Sequence, residues 1–293
     1  FVILAVGIDS RPDTTDGLTT LNTDTIMLAN IDPVAKTVKV LSIPRDLLID
    51  IRTRDGTYSD RINASFAAGV RNGGGVDEGM AQLEGDIERN FDVDIDYWVQ
   101  VDFRGAEELL DAIGGVDVTI PEDLAIERWW YSDDDINGRW LSFPPGPQHL
   151  DGYEAVAFAR LREFDDDFHR IRRQQLVLQA AMLRATEGGL LDHPLDAWDA
   201  YSHAIGTNVP AGRVPGYALL VKQLDGRIST YSLADPVDGV PTMTGVRLRN
   251  GAAVLTARPE NVEYWFDVVF GPDEGEGPAD LREGQAAVPD TLP

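Results

Sequence analysis

The 293-residue sequence predicts a three-layer α/β/α fold with a central mixed β-sheet flanked by helices. Short runs rich in β-branched residues alternate with longer segments of helical periodicity, as in α/β domains. An expected hairpin joined at Asp32-Pro33 adds antiparallel pairing, so we expect a mixed sheet and not a purely parallel one. No repeat or linker interrupts residues 1–271, and we predict one domain there.

Local patterns place the elements of the first half. An apolar run predicts the first strand at Phe1–Gly7, and the polar segment Ser10–Asn22 predicts a loop. Glycines at Gly114-Gly115 predict the end of a helix. The other elements expected here are strands at Thr25–Ile31, Thr37–Ile43, Tyr97–Phe103 and Val116–Ile120, a short excursion at Arg52–Arg61, and helices at Asp77–Asn90 and Gly105–Ile113.

The second half begins with an irregular insert, Glu122–Pro147, whose tryptophans Trp129, Trp130 and Trp140 either stack on sugars or anchor the insert. Residues 272–293 are rich in Gly, Pro and Glu and predict a disordered tail. Between them we expect helices at Gly152–Arg160, Asp167–Ala185, Leu195–Ile205, Gly216–Leu224 and Pro259–Phe270, and strands at Ile228–Leu233 and Ala252–Thr256.

The charge composition excludes some function classes. A net charge of −25 repels nucleic-acid phosphates, so no nucleic-acid partner is expected. With no cysteine, disulfides and thiolate chemistry are excluded. The only lysines are Lys36, Lys39 and Lys222, so arginine carries nearly all positive charge. Arginine forms forked contacts to phosphate, which makes a local arginine cluster informative.

Such a cluster lies in the segment Ala159–Gln175. Arg170 and Gln174 share a helix face at four-residue spacing. Arg160 and Arg162 share a direction only if the preceding helix ends near Arg160, and the guanidinium groups then converge on one anion such as a pyrophosphate. The alternative is a set of surface ion pairs with Asp165–Asp167. The members are Arg160, Arg162, Arg170, Arg172 and Arg173.

Two aspartates are expected at neighbouring strand ends. Asp9 follows the first predicted strand and Asp24 precedes the second, so the pair suits a shared Mg²⁺ or Mn²⁺. The alternative is that both are turn residues bonded to their own backbone. In Pro44-Arg45-Asp46, Arg45 is placed to reach the same anion, and Asp46 either orients Arg45 or caps the following segment.

Other catalytic patterns do not occur in the sequence. There is no nucleophile elbow and no phosphate-binding loop ending in Gly-Lys-Ser. The four histidines have no metal-ligand spacing and are expected to be surface or packing residues: His149, His169, His193 and His203.

Seven segments, in this order, resemble the LytR-CpsA-Psr family of extracytoplasmic phosphotransferases. The resemblance spans about Phe1–Arg184 and is weaker to Phe270. Any one segment is weak support, but the ordered set is specific. The segments are Val6–Arg11, Thr23–Leu28, Leu41–Asp46, Val101–Ala106, Asp111–Val118, Leu150–Arg162 and Asp167–Gln175.

The resemblance implies an enzyme that moves a glycopolymer from a polyprenyl-pyrophosphate carrier to peptidoglycan. It implies a hydrophobic tunnel for the lipid, and membrane association through an N-terminal helix that this sequence does not contain. Asp9 and Asp24 would hold the metal. The phosphates would be held by Arg45, Arg160, Arg162, Arg170 and Gln174, with Arg11 a less certain member.

Two departures from the family pattern bear on phosphate binding. The family often has arginine where Asn22 stands, and Asp165 and Asp166 add negative charge near the expected site. Two other functions stay open: a non-catalytic polyprenyl-lipid-binding or regulatory protein, and a pyrophosphatase acting on small soluble diphosphates.

Overall fold

The chain forms two compact units. The computed structural model describes residues 1–11, 20–72, 74–132, 138–161, 167–185, 187, 204–223, 227–248 and 251–271. The first unit comprises Phe1–Phe103, Ile205–Val214 and Thr230–Glu276, and the second comprises Arg104–Ala204, Pro215–Ser229 and Gly277–Pro293. The expected tail lies outside the described residues, and the single domain over residues 1–271 stays a prediction.

The described residues form fourteen strands and seven α-helices. The strands are β1 (Val2–Arg11), β2 (Thr20–Asp32), β3 (Thr37–Ile43), β4 (Leu48–Thr53), β5 (Gly56–Arg61), β6 (Tyr97–Asp102), β7 (Val116–Ile120), β8 (Ile126–Tyr131), β9 (Arg139–Phe143), β10 (Gly146–Leu150), β11 (Ile205–Thr207), β12 (Ile228–Ser232), β13 (Met243–Arg247) and β14 (Ala253–Ala257). The helices are α1 (Asn63–Arg71), α2 (Val76–Phe91), α3 (Phe103–Ala112), α4 (Gly152–Arg160), α5 (Asp167–Arg184), α6 (Val214–Gln223) and α7 (Pro259–Phe270).

The central sheet is mixed, as predicted. Its strand order is β11-β6-β1-β2-β3-β12. β1 pairs antiparallel with β2 and parallel with β6. Helices flank this sheet, which confirms the predicted fold class.

The core of the first unit joins β1–β3 to α1, α2 and α7. Alternate residues of β1, such as Leu4 and Val6, are buried in it. Helices α1 and α2 approach closely. A Cβ added at Gly79 would come within 2.7 Å of the Phe66 ring. A buried carboxylate, Asp86, joins α2 to α1 and β4 by accepting hydrogen bonds from Ser65 Oγ (2.6 Å) and from the Arg52 backbone N–H (3.1 Å).

The second unit packs α3, α4 and α5 with β7 and β10. Gly114 and Gly115 have φ of 83° and 76°, so the predicted glycine stop after α3 is confirmed. Asp151 caps α4 by accepting a hydrogen bond from the Glu154 N–H at 2.7 Å. A Cβ at Gly152 would overlap the carbonyl oxygen of Glu107, so only glycine lets α4 begin this close to α3.

Several predicted boundaries were wrong at the first hairpin. The predicted loop Ser10–Asn22 contains strand at both ends, because β1 runs to Arg11 and β2 begins at Thr20. Backbone pairing continues past the apolar residues, since ladder hydrogen bonds do not need apolar side chains. Asp9 and Asp24 therefore lie within strands and not at strand ends.

Other differences come from strand pairing that the sequence did not predict. Arg52–Arg61, expected as an excursion, belongs to the β4–β5 hairpin, and the insert Glu122–Pro147 contains the β8–β9 hairpin. Helix α1 and strand β13 were not predicted. The expected helix Leu195–Ile205 falls mostly outside the described residues, and its last residue begins β11.

Candidate active site

Asp24 occupies a β-bulge between β1 and β2. Gly7 pairs with Thr25 and the next residue, Ile8, pairs with Thr23, so Asp24 is the extra residue of β2. A bulge re-aims a side chain and is common beside functional sites. The Asp24 carboxylate accepts a hydrogen bond from Arg45 Nη1, and both side chains are mostly buried.

The β2–β3 register explains why Arg45 meets Asp24. The ladder ends at the pair Ile26 and Ile43. Arg45 lies two residues beyond Ile43, across from Asp24, which lies two residues before Ile26. The predicted turn Pro44-Arg45-Asp46 therefore brings a guanidinium to the carboxylate.

Arg61 extends this pair, and sequence reasoning missed it. Its Nη1 donates a hydrogen bond to Asp46 Oδ1 at 3.3 Å, and Asp46 Oδ2 lies 3.7 Å from Arg45 Nε. The β4–β5 hairpin returns Arg61 to this place, opposite Leu48. The turn dipeptide Asp55-Gly56 was the available signal for that hairpin. Asp46 thus accepts a hydrogen bond from Arg61 and lies within ion-pair distance of Arg45.

The backbone of Asp9 lies beside this group. Asp9 pairs with Asn22, two residues before Asp24, and Arg11 pairs with Thr20. Diagonal neighbours in an antiparallel ladder are about 7–8 Å apart. Mg²⁺ takes one or two carboxylates and completes its shell with phosphate and water, and aspartate is the residue type that suits it at both positions. The side chains of Asp9, Arg11 and Asn22 lie outside the described part of the chain.

Arg160 is the last residue of α4, as the cluster interpretation required. Leu161 follows in extended conformation with ψ of 135°, so the helix ends where predicted. Arg160 Nη1 donates a hydrogen bond to the Tyr131 hydroxyl at 2.6 Å, and its guanidinium lies 5.6 Å from the ring centroid. Arg162 is outside the described residues.

The arginines of α5 are not all on the surface. Arg170 is 2% exposed and Arg173 is fully buried, so these two are not surface residues. Arg172 forms an ion pair with Asp123, which is not one of the expected partners Asp165–Asp167. A guanidinium with little solvent around it attracts an anion more strongly than an exposed one. Gln174, four residues after Arg170, is half-buried on the same helix face.

Arg173 has a role that the sequence did not reveal. Its Nη2 donates a hydrogen bond to the Leu161 carbonyl at 2.9 Å, and its guanidinium lies 5.8 Å from the Phe158 ring centroid. It therefore fixes the residue that follows Arg160. Within the second unit, α5 thus supplies both the candidate ligand Arg170 and a support for the α4 end.

The histidines and tryptophans divide between packing and exposure. His149 is exposed, with Nδ1 2.8 Å from Asp117 Oδ1, as expected of a surface residue. Trp129 is buried against Tyr131, whereas Trp130 and Trp140 are exposed. Both expected roles of the tryptophans therefore remain: one anchors the insert and two present rings to solvent.

The model of the LytR_cpsA_psr family matches residues 1–254. The chain belongs to this family. All the candidate residues, from Asp9 to Gln174, fall inside the matched range. The resemblance predicted from seven segments is confirmed.

Curated relatives in this family carry transferase names. TagV of Bacillus subtilis, a polyisoprenyl-teichoic acid–peptidoglycan teichoic acid transferase, is 35% identical over 163 residues, covering 55% of this chain and 38% of the relative. TagU of Bacillus cereus, of the same transferase name, is 32% identical over 209 residues, covering 71% of this chain and 60% of the relative. The chain thus spans less than two thirds of the length of these relatives.

Solved structures of the family have the same fold. The crystal structure of B. subtilis TagV matches with a TM-score of 0.71 and 25% identity, over 92% of this chain and 95% of that one. TagT bound to LI-WTA matches with a TM-score of 0.68 and 22% identity, over 92% of this chain and 88% of that one. The likeness supports the mixed α/β architecture described above.

Proposed function

We propose that this chain is the catalytic part of a phosphotransferase that moves a glycopolymer from a polyprenyl-pyrophosphate carrier to a sugar hydroxyl of peptidoglycan. The observation that carries this proposal is the family match over residues 1–254, together with the names of TagV and TagU. The donor is a polyprenyl-linked glycan and the acceptor is the cell wall. The reaction is extracytoplasmic.

The phosphates of the donor would be bound by arginine. Arg45 donates a hydrogen bond to Asp24, and Arg160 donates one to the Tyr131 hydroxyl, so neither guanidinium needs to be ordered when the anion arrives. Arg170 and Gln174 offer further donors, and Arg162 and Arg11 would join them. Arg61 would also contact the phosphates, because its hydrogen bond to Asp46 keeps it near Arg45.

Asp9 and Asp24 would hold Mg²⁺ or Mn²⁺. Bound there, the ion would neutralise negative charge on the phosphate oxygens. Asp24 would then share its carboxylate between the ion and Arg45, and the ion pair fixes its orientation. The Asp24–Arg45 pair is therefore expected to serve both metal and phosphate.

The chemistry is a phosphoryl transfer. The acceptor hydroxyl oxygen forms a bond to the phosphorus that carries the glycan, and the bond from that phosphorus to the bridging oxygen breaks. The electron pair leaves with polyprenyl monophosphate, and the hydroxyl proton passes to a carboxylate, of which Asp9 is a candidate. Such transfers depend on positioning and charge stabilisation, which the arginines provide.

The polyprenyl chain requires an apolar binding site, which the family resemblance expects as a tunnel. In the described part of the chain, no helix combines the length and apolar character needed to cross a bilayer. We propose that the protein acts at the membrane surface, where its lipid-linked donor resides.

Incubation with long-chain polyprenyl pyrophosphate tests the site, since hydrolysis is the expected side reaction. Phosphate release should require Mg²⁺, stop with EDTA, and fall in Arg160→Ala. Arg104→Ala is the matched control, because Arg104 is exposed and pairs with Glu108 one turn along α3. Absence of both lipid binding and release would contradict the proposal. Metal-independent lipid binding without turnover or transfer would favour a regulatory protein, and a preference for small diphosphates would favour a soluble pyrophosphatase.

A further inference from the structure

The β8–β9 hairpin presents two indole rings to solvent. Trp130 and Trp140 pair directly across the strands. They are 49% and 56% exposed, with ring centroids 5.5 Å apart and planes at 69°. Large aromatic side chains are normally buried, and an exposed adjacent pair commonly marks a binding surface.

Each indole ring packs against a neighbouring group of the protein. A Cβ at Gly138 would come within 2.6 Å of Trp130 Cε2, so the backbone at this glycine lies directly against that indole. The guanidinium carbon of Arg128 lies 4.2 Å from the Trp140 ring centroid, in cation–π geometry. The rings are therefore fixed, and they lose little conformational freedom when a ligand binds.

The fold does not need these rings to be exposed. The other face of the hairpin already anchors it through buried side chains, Trp129, Tyr131, Leu141 and Phe143. A cross-strand aromatic pair adds only about 0.2–1 kcal/mol to a hairpin. Stabilisation of the hairpin therefore does not explain why two large indole side chains are left half-exposed.

We propose that Trp130, Trp140 and Arg128 form a platform that binds the glycan strand of peptidoglycan. This inference rests on the proposed function and adds the surface that holds the acceptor polymer. Pyranose rings have flat apolar C–H faces that stack on indoles, and their hydroxyl, acetamido and carboxylate groups accept hydrogen bonds from a guanidinium. A polyol-phosphate polymer has no ring face in its backbone, so it lacks the apolar surface that stacks on indoles.

The position of the platform indicates how it acts. Tyr131, the next residue after Trp130, holds Arg160 through its hydroxyl. Successive strand residues point to opposite faces, so the platform lies on the other side of the hairpin from the Arg160 contact. The platform therefore binds sugars that lie some distance along the glycan strand from the sugar that reacts. The expected effect is on affinity for long acceptors and not on the chemical step.

Binding of soluble glycan strands tests the platform without any transfer. The probes are purified peptidoglycan glycan fragments of one disaccharide and of several disaccharides, titrated by calorimetry and by tryptophan fluorescence. Trp130→Leu/Trp140→Leu should weaken binding of the long fragment by about tenfold. Tyr264→Leu is the matched control, because Tyr264 is 47% exposed and forms an edge-to-face pair with Trp265 elsewhere in the chain.

A milder variant keeps the test possible if the double tryptophan variant misfolds. Arg128→Gln leaves both rings and the hairpin ladder intact, and it should weaken the same binding by about threefold. In transfer assays, both variants should raise KM for long acceptors and leave kcat unchanged. Unchanged affinity in folded variants would overturn the inference, as would selective loss of binding to a polyol-phosphate polymer. If the protein binds glycan strands but transfers no glycopolymer, the proposed function is contradicted and the platform is still supported.

Discussion

Asp24 and Arg45 form an ion pair just beyond the end of the β2–β3 ladder, where a β-bulge makes Asp24 the extra residue of β2. The pair couples the candidate metal ligand to a candidate phosphate ligand. Disturbing either residue should therefore affect both functions, in contrast to removal of an isolated surface charge, whose effect is small.

Arg45→Lys is expected to lower the rate of transfer by at least about tenfold. Lysine keeps the charge but loses the fork that spans a carboxylate and a phosphate together. Arg258→Lys, at an exposed arginine 4.0 Å from Glu260, should leave the rate unchanged. Initial rates at saturating donor measure both variants. A rate in Arg45→Lys equal to that of Arg258→Lys would show that the fork at position 45 is not used.

Asp24→Asn is expected to raise the Mg²⁺ concentration required for half-maximal activity. The amide keeps the shape of the side chain but removes the charge that a hard cation prefers. Titration of Mg²⁺ at fixed donor measures the shift. An unchanged metal requirement with normal activity would remove Asp24 from the metal site.

Tyr131→Phe is expected to raise KM for the lipid-linked donor several-fold, because the Arg160 guanidinium loses a 2.6 Å hydrogen bond. One hydrogen bond to a charged group is worth about 1.5–3 kcal/mol at most. Tyr153→Phe is the matched control, since its hydroxyl donates to the Tyr131 carbonyl at 3.2 Å instead. Equal KM values in the two variants would mean that Tyr131 does not position Arg160.

Asp86→Ala is expected to destabilise the protein by about 3–5 kcal/mol, because it leaves buried donors around a missing carboxylate. Asp86 is fully buried and also accepts from Gln82 Nε2 at 2.7 Å. Urea denaturation gives the free energy of unfolding. Asp77→Ala, at an exposed residue in the first turn of the same helix, should cost no more than about 1 kcal/mol. A similar decrease in the free energy of unfolding in both variants would show that the hydrogen bonds to Asp86 do not stabilise the fold.

Glu84→Gln is expected to stabilise the protein at neutral pH and not at acidic pH. Burial, and secondarily the nearby Glu88 carboxylate, raise the pKa of Glu84 above its ordinary value. Folding therefore favours the protonated form, and stability is lost as pH rises from the ordinary pKa through the raised one. The free energy of unfolding of both proteins, measured between about pH 4 and 7, should diverge with rising pH. A constant difference would show that the Glu84 pKa is not raised.

Elements with strong local signals could be predicted from the sequence. Helix α2 was expected at Asp77–Asn90 and spans Val76–Phe91, and α4 was expected and found at Gly152–Arg160. In both, apolar spacing and end signals agree. The mixed sheet followed from the first hairpin, whose turn at Asp32 is closed by hydrogen bonds from the Val34 and Ala35 N–H groups at 2.7 and 2.9 Å.

The parts that could not be predicted depend on pairing between distant segments. The bulge at Asp24 is a property of the β1–β2 register, which no local pattern specifies. Arg61 reaches Asp46 only because β4 and β5 pair, and Arg173 is buried only because α5 packs on the end of α4. Sequence spacing identified the arginine cluster as a whole, but only tertiary packing decides which of its members supports another.

The most direct test of the proposed function is transfer itself. A polyprenyl-pyrophosphate-linked glycan, labelled in the glycan, is incubated with peptidoglycan and Mg²⁺, and label bound covalently to the insoluble wall is counted. The account predicts incorporation by the unaltered protein and by Arg104→Ala and Arg258→Ala, and a loss of at least about a hundredfold in Arg45→Ala and Arg160→Ala. Full incorporation by folded Arg45→Ala and Arg160→Ala, or none by the unaltered protein with intact donor bound, would contradict it.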